Sequence, residues 1–507
     1  MTTAILHLAP LLVVGLFLLS GALAAAGQQS RGTDKGVAWS SAGALLAAVL
    51  GGAAAALNGG GSEPFALFRL DALATVMLLL IAFLGFIILR YSQNYLDGDA
   101  KRSRFLALLS LTLAAVSLLV TTDNLVLFGG AWLATSALVH SLLLFRRERP
   151  QARVAARKKF IFARTGDIAL VLALILLGRE FGTLSIAEIA ATAPNASLNL
   201  ALVFVCGLMV IAALLKCAQF PTHGWLTEVM ETPTPVSALL HAGIVNAGGF
   251  LLIRFSDVLI MSPGAMTALM LVGGFSALFG AIAMLPQTTV KGSLAHSTVA
   301  QMGFMLFQCG LGVFSAAALH LVAHSLYKAH AFLSSGRAVN SVAARVRTPL
   351  PGPALIIGGL VLSLTAYFGV AALMPETEAK SPQILVLGVV FIAGLFVYVV
   401  SVARLPGAIL TAIAVTIAAA FSYHALQAAA AVILAGVVAP VPIPGTAALV
   451  AMTILLAAFF LVALGQVGGL PVGRAFASKA YVHIARGFYA NAWNDRVIGA
   501  LRLRKTS

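Results

Sequence analysis

The chain has 507 residues, of which 60% are hydrophobic and 9% are charged, and its mean hydropathy is +1.01. This composition excludes a soluble globular domain. The formal net charge of +16 would suit nucleic-acid binding, but the basic residues are confined to alternate connections between apolar segments. We therefore expect no nucleic-acid partner.

Apolar runs of about 20 residues, the length of a membrane-spanning helix, recur along the chain. They lie near residues 3–26, 37–57, 68–90, 105–122, 124–145, 160–178, 199–220, 235–254, 266–285, 294–313, 315–334, 352–374, 383–403, 406–438 and 445–466. The run at 406–438 is too long for one straight span. Because barrel-type alternation is absent from the sequence, we predict an all-α polytopic membrane protein with about 14–15 transmembrane helices.

Basic residues mark one side of the predicted membrane domain. They follow odd-numbered segments, at residues 101–104, 146–164, 337–347 and 474–505. By the positive-inside rule these connections are cytoplasmic, which predicts an N-terminus outside and a C-terminus inside the cell. We expect a transmembrane domain over residues 1–466 and a basic cytoplasmic tail over residues 467–507.

The three cysteines, Cys206, Cys217 and Cys309, lie in apolar segments, and none belongs to a CxxC pair. This pattern argues against an iron–sulfur cluster, a zinc–cysteine site or a disulfide framework. No GxGxxG motif follows a predicted strand, which argues against a dinucleotide-binding fold. We expect no cofactor in this chain.

Two ionisable residues interrupt the apolar segments in the middle of the chain. Lys216 lies five residues before Pro221, which is expected to break its helix. A lysine in lipid costs about 2.5–3.5 kcal/mol on insertion scales, so its charge is expected to be used; the alternative is a lysine that snorkels to the interface. His241 lies in the next segment, where it suits a proton relay or, alternatively, simple packing.

A row of ionisable residues follows in a later segment. His320, His324 and Lys328 are spaced four residues apart and therefore share one helical face. We interpret the row as a proton wire; packing and a zinc site on the two histidines are the alternatives, the latter without an obvious third ligand. The preceding helix carries further polar residues, namely Lys291, Ser293, His296, Ser297 and Gln301. Three of these share a face that could hold water.

Two stretches resemble a known family. They are LLKCAQFPTHGWLTEVMETPTPVSALLHAGIVNAGGFLLIR, over residues 214–254, and VKGSLAHSTVAQMGFM, which begins at Val290. Both resemble the proton-translocating antiporter-like subunits of respiratory complex I and of Mrp-type cation/proton antiporters. The resemblance implies antiporter-like inverted repeats with broken helices. The implied proton pathway comprises Lys216, His241, His320, His324 and Lys328.

Other charged residues match family positions beside this pathway. Asp71, Arg164 and Asp167 are expected to form structural pairs or to support the pathway. Glu228 and Glu231 lie near the predicted helix break, where a solvated loop face is the alternative.

The sequence departs from the family pattern in three places. Trp132 matches the family, but Leu133 occupies the position of a glutamate that pairs with the lysine, and His140 on the same face is a candidate substitute. The charged motif of a later broken helix is missing near 370–400, where His424 with Tyr423 is the nearest polar candidate. The sequence also stops at Ser507 without the family's lateral helix.

These departures, with the phrase NAWND, resemble the DabB branch, the membrane subunits of two-part inorganic-carbon accumulating complexes. That resemblance implies a non-enzymatic subunit in a bacterial inner membrane that conducts protons, or sodium, and is surrounded by membrane lipids. It also implies a large peripheral DabA-like partner, related to β-carbonic anhydrases, that holds zinc and hydrates CO2. The alternative is a subunit of NADH-quinone oxidoreductase or of an Mrp-type antiporter.

Overall fold

The computed structural model describes residues 2–27, 31–59, 67–146, 148, 150–336, 351–374, 381–405, 407–467 and 481–500. Over these residues the chain is almost entirely helical. Its extended pairing is limited to two isolated bridges, Phe68 with Thr122 and Asn124 with Ser185. The predicted all-α class is therefore confirmed.

Twelve helices make up the first half of the described chain. They are α1 (Thr2–Ala26), α2 (Arg31–Leu57), α3 (Ala72–Tyr95), α4 (Arg102–Thr121), α5 (Leu125–Leu143), α6 (Pro150–Phe181), α7 (Ile186–Thr192), α8 (Leu200–Lys216), α9 (Gly224–Glu228), α10 (Thr234–Ala242), α11 (Ala247–Arg254) and α12 (Ser256–Leu259). Several begin at a side chain that accepts from the first free backbone N–H groups, such as Asp71 before α3 and Asn124 before α5.

Eight helices of the second half are described from start to end. They are α13 (Pro263–Met284), α14 (Val290–Gly310), α15 (Phe314–Leu333), α16 (Pro353–Leu373), α17 (Pro382–Val402), α18 (Ile409–Ile433), α19 (Thr446–Gln466) and α20 (Ala490–Ala500). The long apolar run at 406–438 contributes the one helix α18, because the chain turns after Ile433.

Twelve spans in the described residues are long and apolar enough to cross a membrane, and one of them runs through α10 and α11 together. Helix α8 has 17 residues, whereas α14 and α15 are 21 and 20 residues long but carry the polar residues of the predicted pathway. The protein is therefore a multi-pass membrane protein.

Two of the spans are broken, as the resemblance implies. Helix α8 ends at Lys216, and the backbone is non-helical until α9 begins at Gly224. Helix α10 ends at Ala242, and after Gly243 a short 3-10 turn leads into α11. At this second break Asn246 donates to the Ala242 carbonyl at 2.9 Å, which supplies a hydrogen-bond partner at the interrupted turn.

Glycines bring α13 and α14 into close contact. A Cβ atom at Gly303 would lie 2.6 Å from the Ala277 backbone nitrogen and 2.7 Å from the Gly273 oxygen. Small residues allow helices in lipid to approach this closely and to gain van der Waals contact. The backbones of α13 and α14 therefore pack directly against each other at these glycines.

We expect Gly303→Val to destabilise the protein, because no side chain fits between the two backbones. Overpacking of this kind costs about 1–3 kcal/mol or more. The measurement is thermal unfolding in detergent, with a lower Tm expected. Gly369→Val is the matched control, since a Cβ atom there meets nothing within 4 Å. Equal Tm values for the two variants would contradict the close packing.

Candidate ion pathway

Lys216 ends α8 and lies buried between α5 and α6. Its Nζ donates to Ser136 Oγ at 2.9 Å and lies 4.3 Å from the centre of the Trp132 ring. The ring face attracts the ammonium group, and the hydroxyl supplies a polar partner. The side chain is therefore held inside the protein and does not snorkel toward an interface.

Asp167 on α6 is the carboxylate that shares a hydrogen-bond partner with this lysine. Its Oδ1 accepts from Trp132 Nε1 at 2.8 Å and from Ser136 Oγ at 3.2 Å, and Arg164 forms an ion pair with its other oxygen. A hydroxyl can accept one hydrogen bond and donate another at the same time. Ser136 thus connects the Lys216 ammonium to the Asp167 carboxylate.

A second lysine reaches the same serine. Lys159 is buried in α6, and its Nζ donates to the Ser136 carbonyl at 2.8 Å. The sequence placed Lys159 in a cytoplasmic basic connection. Its spacing of eight residues from Asp167 puts both on one face of α6, and that periodicity was the signal that could have identified it.

His140 and Leu133 lie apart from the contacts that join Lys216, Ser136 and Asp167. The His140 ring lies 5.4 Å from the Phe160 ring, one turn beyond Ser136. Leu133 lines an apolar groove together with Val126 and Val171. Lys216 contacts Ser136 and Trp132, and the role of His140 stays a prediction.

The second group of predicted residues lies where α10, α14 and α15 meet. His241 Nδ1 lies 3.0 Å from Thr298 Oγ1, and its ring stacks on Phe332 with centroids 4.4 Å apart. His324 Nε2 lies 3.2 Å from the His241 carbonyl oxygen, so Nε2 is the nitrogen that donates. The break after α10 thus places the His241 backbone against the histidine row.

The row itself is continuous along α15. The His320 and His324 rings lie 6.2 Å apart, and His320 contacts Gln301 and Gln308 through its two ring nitrogens. Lys328 is fully buried, and its Nζ donates to the Leu294 carbonyl at 3.0 Å.

The two lysines predicted from the sequence share one property. In the part of the chain that the structure describes, neither Lys216 nor Lys328 has a carboxylate oxygen within 4 Å. Over the same residues, no group of three or more His, Cys, Asp or Glu side chains could hold a metal ion. Both ammonium groups are bound by neutral oxygens inside the membrane domain.

Asp71 lies in a separate buried cluster. It pairs with Arg254 at 2.5 Å and with Arg69 at 3.0 Å, and it caps α3 by accepting from the Ala74 N–H at 2.8 Å. Arg254 ends the broken span α10–α11. The cluster therefore fixes the end of that span to the start of α3.

Glu228 belongs to an ion-pair cluster at the end of α9. Lys158, which is buried, lies 2.5 Å from both Glu228 and Asp495. Burial raises the pKa of the Glu228 carboxyl, and the Lys158 ammonium opposes that shift. Asn494 donates to the Pro221 carbonyl at 2.6 Å, so α20 packs against the break after α8. We call the contacts of α20 with this region, Asn494 with Pro221 and Asp495 with Lys158, the α20 latch.

The other predicted residues lie around these groups. Lys291 and Ser297 are half-buried on α14, and His296 Nδ1 lies 3.0 Å from the Gly292 carbonyl. His424 Nε2 lies 3.2 Å from the Tyr367 carbonyl and joins α18 to α16. Glu231 ends a short 3-10 turn, and its side chain lies outside the described residues.

Family comparison agrees with this arrangement. Residues 122–411 match the family model described as "NADH:quinone oxidoreductase/Mrp antiporter, TM". Residues 64–106 match "NADH-Ubiquinone oxidoreductase (complex I), chain 5 N-terminus". Because the first match covers more than half of the chain, the protein belongs to the NADH:quinone oxidoreductase/Mrp antiporter transmembrane family.

Curated relatives carry two kinds of name. "Probable inorganic carbon transporter subunit DabB2" of Halothiobacillus neapolitanus is 46% identical over 285 residues, which are 55% of this chain and 52% of the relative. "Probable inorganic carbon transporter subunit DabB" of Hydrogenovibrio crunogenus is 45% identical over 274 residues, with 53% and 52% covered. "NADH-quinone oxidoreductase subunit L" of Mycobacterium tuberculosis is 38% identical over 277 residues, with 54% and 44% covered. The chain spans about half the length of the curated relatives it matches.

Solved structures share the fold. The Mrp complex from Dietzia sp. DQ12-45-1b contains a chain with a TM-score of 0.65 and 23% identity, covering 99% of this chain and 60% of that one. The archaeal membrane-bound sulfane sulfur reductase gives a TM-score of 0.58 at 20% identity, with 92% and 77% covered. At these identities the likeness concerns the fold alone.

The α20 latch leads to a stability prediction. Lys158→Met removes the cation between Glu228 and Asp495, and the remaining carboxylates repel each other. We expect backbone amides of residues 490–500 to exchange hydrogen at least tenfold faster, as measured by mass spectrometry. Arg157→Met, at an exposed neighbour, is the control. Unchanged exchange in Lys158→Met would show that the ion pairs do not hold α20.

Proposed function

We propose that this chain is the cation-conducting membrane subunit of an inorganic-carbon accumulating complex, and that the cation is the proton. The observation that carries the proposal is the pair of buried ammonium groups, Lys216 and Lys328, bound by neutral oxygens within the described membrane domain. Such a charge is costly in lipid and marks an ion path by default. The imidazole groups of His241, His324 and His320 can each donate a hydrogen from one ring nitrogen and accept one at the other, as a proton relay requires.

The pathway has two centres. The first consists of Lys216, Ser136, Asp167 and Lys159, in which one carboxylate serves two lysines through a serine. A proton that leaves one ammonium group changes the field at the other, because low local dielectric strengthens the interaction. The family's glutamate is replaced by leucine at position 133, and Asp167 supplies the carboxylate.

The second centre consists of His241, His324, Lys328 and His320. The His241 carbonyl contact with His324 and the adjacent histidine rings bring the proton-carrying groups to within about one helical turn of each other. Water in the polar gaps between them would complete the transfer steps. A sodium site would need several oxygen ligands, and the imidazole and ammonium groups of this centre do not provide them.

The inorganic-carbon assignment is supported by the relatives named as probable inorganic carbon transporter subunits, at 46% and 45% identity. The partner is then a large peripheral DabA-like subunit on the cytoplasmic face, whose bound zinc would supply the hydration of CO2 to bicarbonate. A potential of 100 mV is worth about 2.3 kcal/mol per charge, which shifts a hydration equilibrium by more than tenfold. The coupling is a free-energy linkage between two states of the complex.

The chain resides in the bacterial inner membrane, with the N-terminus outside and the C-terminus in the cytoplasm. In this orientation the break after α8 and the α20 latch face the cytoplasm. The exposed basic residues Arg146, Arg153 and Arg157 lie on the same side and offer a docking surface for the partner.

Growth of a strain that requires high CO2 tests the assignment. Expression of this chain with its zinc-bearing partner should restore growth in air, and expression of either protein alone should not. The second candidate function, a subunit of a respiratory or Mrp-type complex, is favoured by the 38% identity with subunit L. Co-purification with hydrophobic antiporter subunits, together with no rescue in air, would establish that candidate.

Removal of either central lysine should abolish transport. We expect Lys216→Ala and Lys328→Ala to lower bicarbonate accumulation at least tenfold, because each step then lacks its proton carrier. Both variants should still insert and bind the partner, as measured by co-purification. Lys35→Ala is the control, since Lys35 is exposed on α2. Full activity in both lysine variants would refute the proton pathway.

A second pair of variants identifies the counter-charge. Asp167→Asn keeps the size of the side chain but removes its charge, and we expect at least a tenfold loss of transport. His140→Ala is the competing test, measured in the same assay. Loss in His140→Ala with full activity in Asp167→Asn would assign the missing glutamate's role to His140.

A further inference from the structure

We propose that a groove between α5 and α6 is a binding site for one anionic phospholipid, whose phosphate lies at Arg179. The groove has a volume of about 390–1,000 Å³ class size, measuring about 610 Å³. Among its described lining residues Arg179 is the charged one, and the others are aliphatic residues and glycines. The inference does not depend on the proposed ion transport, because it concerns the outer surface of the two helices.

Glycines give the α5–α6 groove its depth. Gly129 and Gly130 of α5 and Gly178 of α6 all line it. A Cβ atom on the buried Gly129 would lie 3.2 Å from Leu174 Cδ1, so the two helices are closely packed there. A Cβ atom on the exposed Gly130 would meet nothing within 4 Å. The groove is therefore open at Gly130 above a packed floor.

Arg179 provides an uncompensated charge at one end of the groove. It is exposed at the end of α6, and in the part of the chain that the structure describes no carboxylate oxygen lies within 4 Å of it. The two acidic residues that follow it in sequence have other partners, because Glu180 accepts from Asn199 and Glu188 accepts from Thr183. A guanidinium group presents five N–H donors in a planar fork that matches a phosphate.

Other arginines at this end of the protein are already paired. The predicted topology places the end of α6 and the start of α5 outside the cell, where basic residues are few. Arg69 and Arg254 lie at the same predicted end, and both form ion pairs with Asp71. Arg179 is thus available to an anion from outside the described chain.

The length of the groove matches one leaflet of a bilayer. Val171 lies eight residues before Arg179 on α6, and Leu133 lies eight residues after Leu125 on α5. Eight helical residues span about 12 Å, and half of a bilayer core is about 15 Å thick. The inner end at Leu133 is aliphatic. A phosphate at Arg179 would therefore leave an acyl chain lying along the groove.

An anionic phospholipid fits both ends of the groove. Its phosphate would form charge-assisted hydrogen bonds with Arg179, and its chain would contact the aliphatic walls. A zwitterionic headgroup carries its own ammonium group, which competes with the arginine for the phosphate. An apolar helix of another protein would fill the walls but would leave the guanidinium without a counter-charge. Bound lipid would also join α5 to α6, which carry Ser136 and Asp167.

Native mass spectrometry of the full chain with its partner tests the headgroup contact. We expect one phosphatidylglycerol to bind with a Kd at least tenfold lower than that of phosphatidylcholine. Arg179→Gln should raise the Kd of phosphatidylglycerol at least tenfold and leave that of phosphatidylcholine within twofold. Arg104→Gln is the matched control, since Arg104 is also exposed. An unchanged Kd of phosphatidylglycerol in Arg179→Gln would overturn the proposal.

A second variant tests the groove itself. Gly130→Phe places a ring in the open space, and we expect it to weaken phosphatidylglycerol binding at least tenfold. Gly369→Phe is its control, because a Cβ atom there also meets nothing within 4 Å. Loss of binding in Gly130→Phe with full binding in Arg179→Gln would mean that the groove takes any chain, and the anionic assignment would fail.

Cross-linking in native membranes identifies the occupant. A photoreactive group attached to Gly130→Cys should give adducts with phospholipid. Adducts with a second copy of this chain or with another membrane protein would show that protein covers the groove, and would overturn the proposal.

Discussion

The cost of placing an ammonium group inside a membrane governs the rest of this structure. Each buried lysine must find oxygen partners within the protein, because lipid offers none. Lys216 contacts the Ser136 hydroxyl, Lys159 the Ser136 carbonyl, and Lys328 the Leu294 carbonyl. These contacts fix α5 against α6 and α8, and α14 against α15. The same groups that satisfy the charges also determine which helices must be neighbours.

Helix breaks make these partners accessible. Helix α8 ends at Lys216, at the level of Ser136. No further turn of α8 therefore lies between the Lys216 side chain and α5. The break at Gly243 places the His241 carbonyl against His324, and Asn246 bridges the interruption to Ser325 at 2.7 Å. An unbroken helix would have used these backbone groups in its own hydrogen bonds. The break after α10 therefore leaves the His241 carbonyl free to contact His324 on another helix.

The two centres differ in their electrostatics. The first contains Asp167, whose carboxylate accepts hydrogen bonds from Trp132 and Ser136 and pairs with Arg164. The second is surrounded by neutral groups in the described residues, and it ends at His320 between two glutamines. A centre with a fixed negative charge holds a proton-carrying cation more strongly than a neutral one. Lys216 therefore has a carboxylate connected to it through Ser136, whereas Lys328 contacts a neutral carbonyl oxygen.

The sequence by itself determined the fold class, the spans and the row His320–His324–Lys328, because hydropathy and helical spacing are local properties of the chain. It also located Lys216 and the break that follows it. The tertiary structure alone decided that Asp167 meets Ser136, that Lys159 is buried and that Lys158 contacts Asp495, since these partners lie on different helices. The groove between α5 and α6 likewise exists only where these two helices meet. Local spacing fixes which side of a helix a residue occupies, but only packing fixes what that side touches.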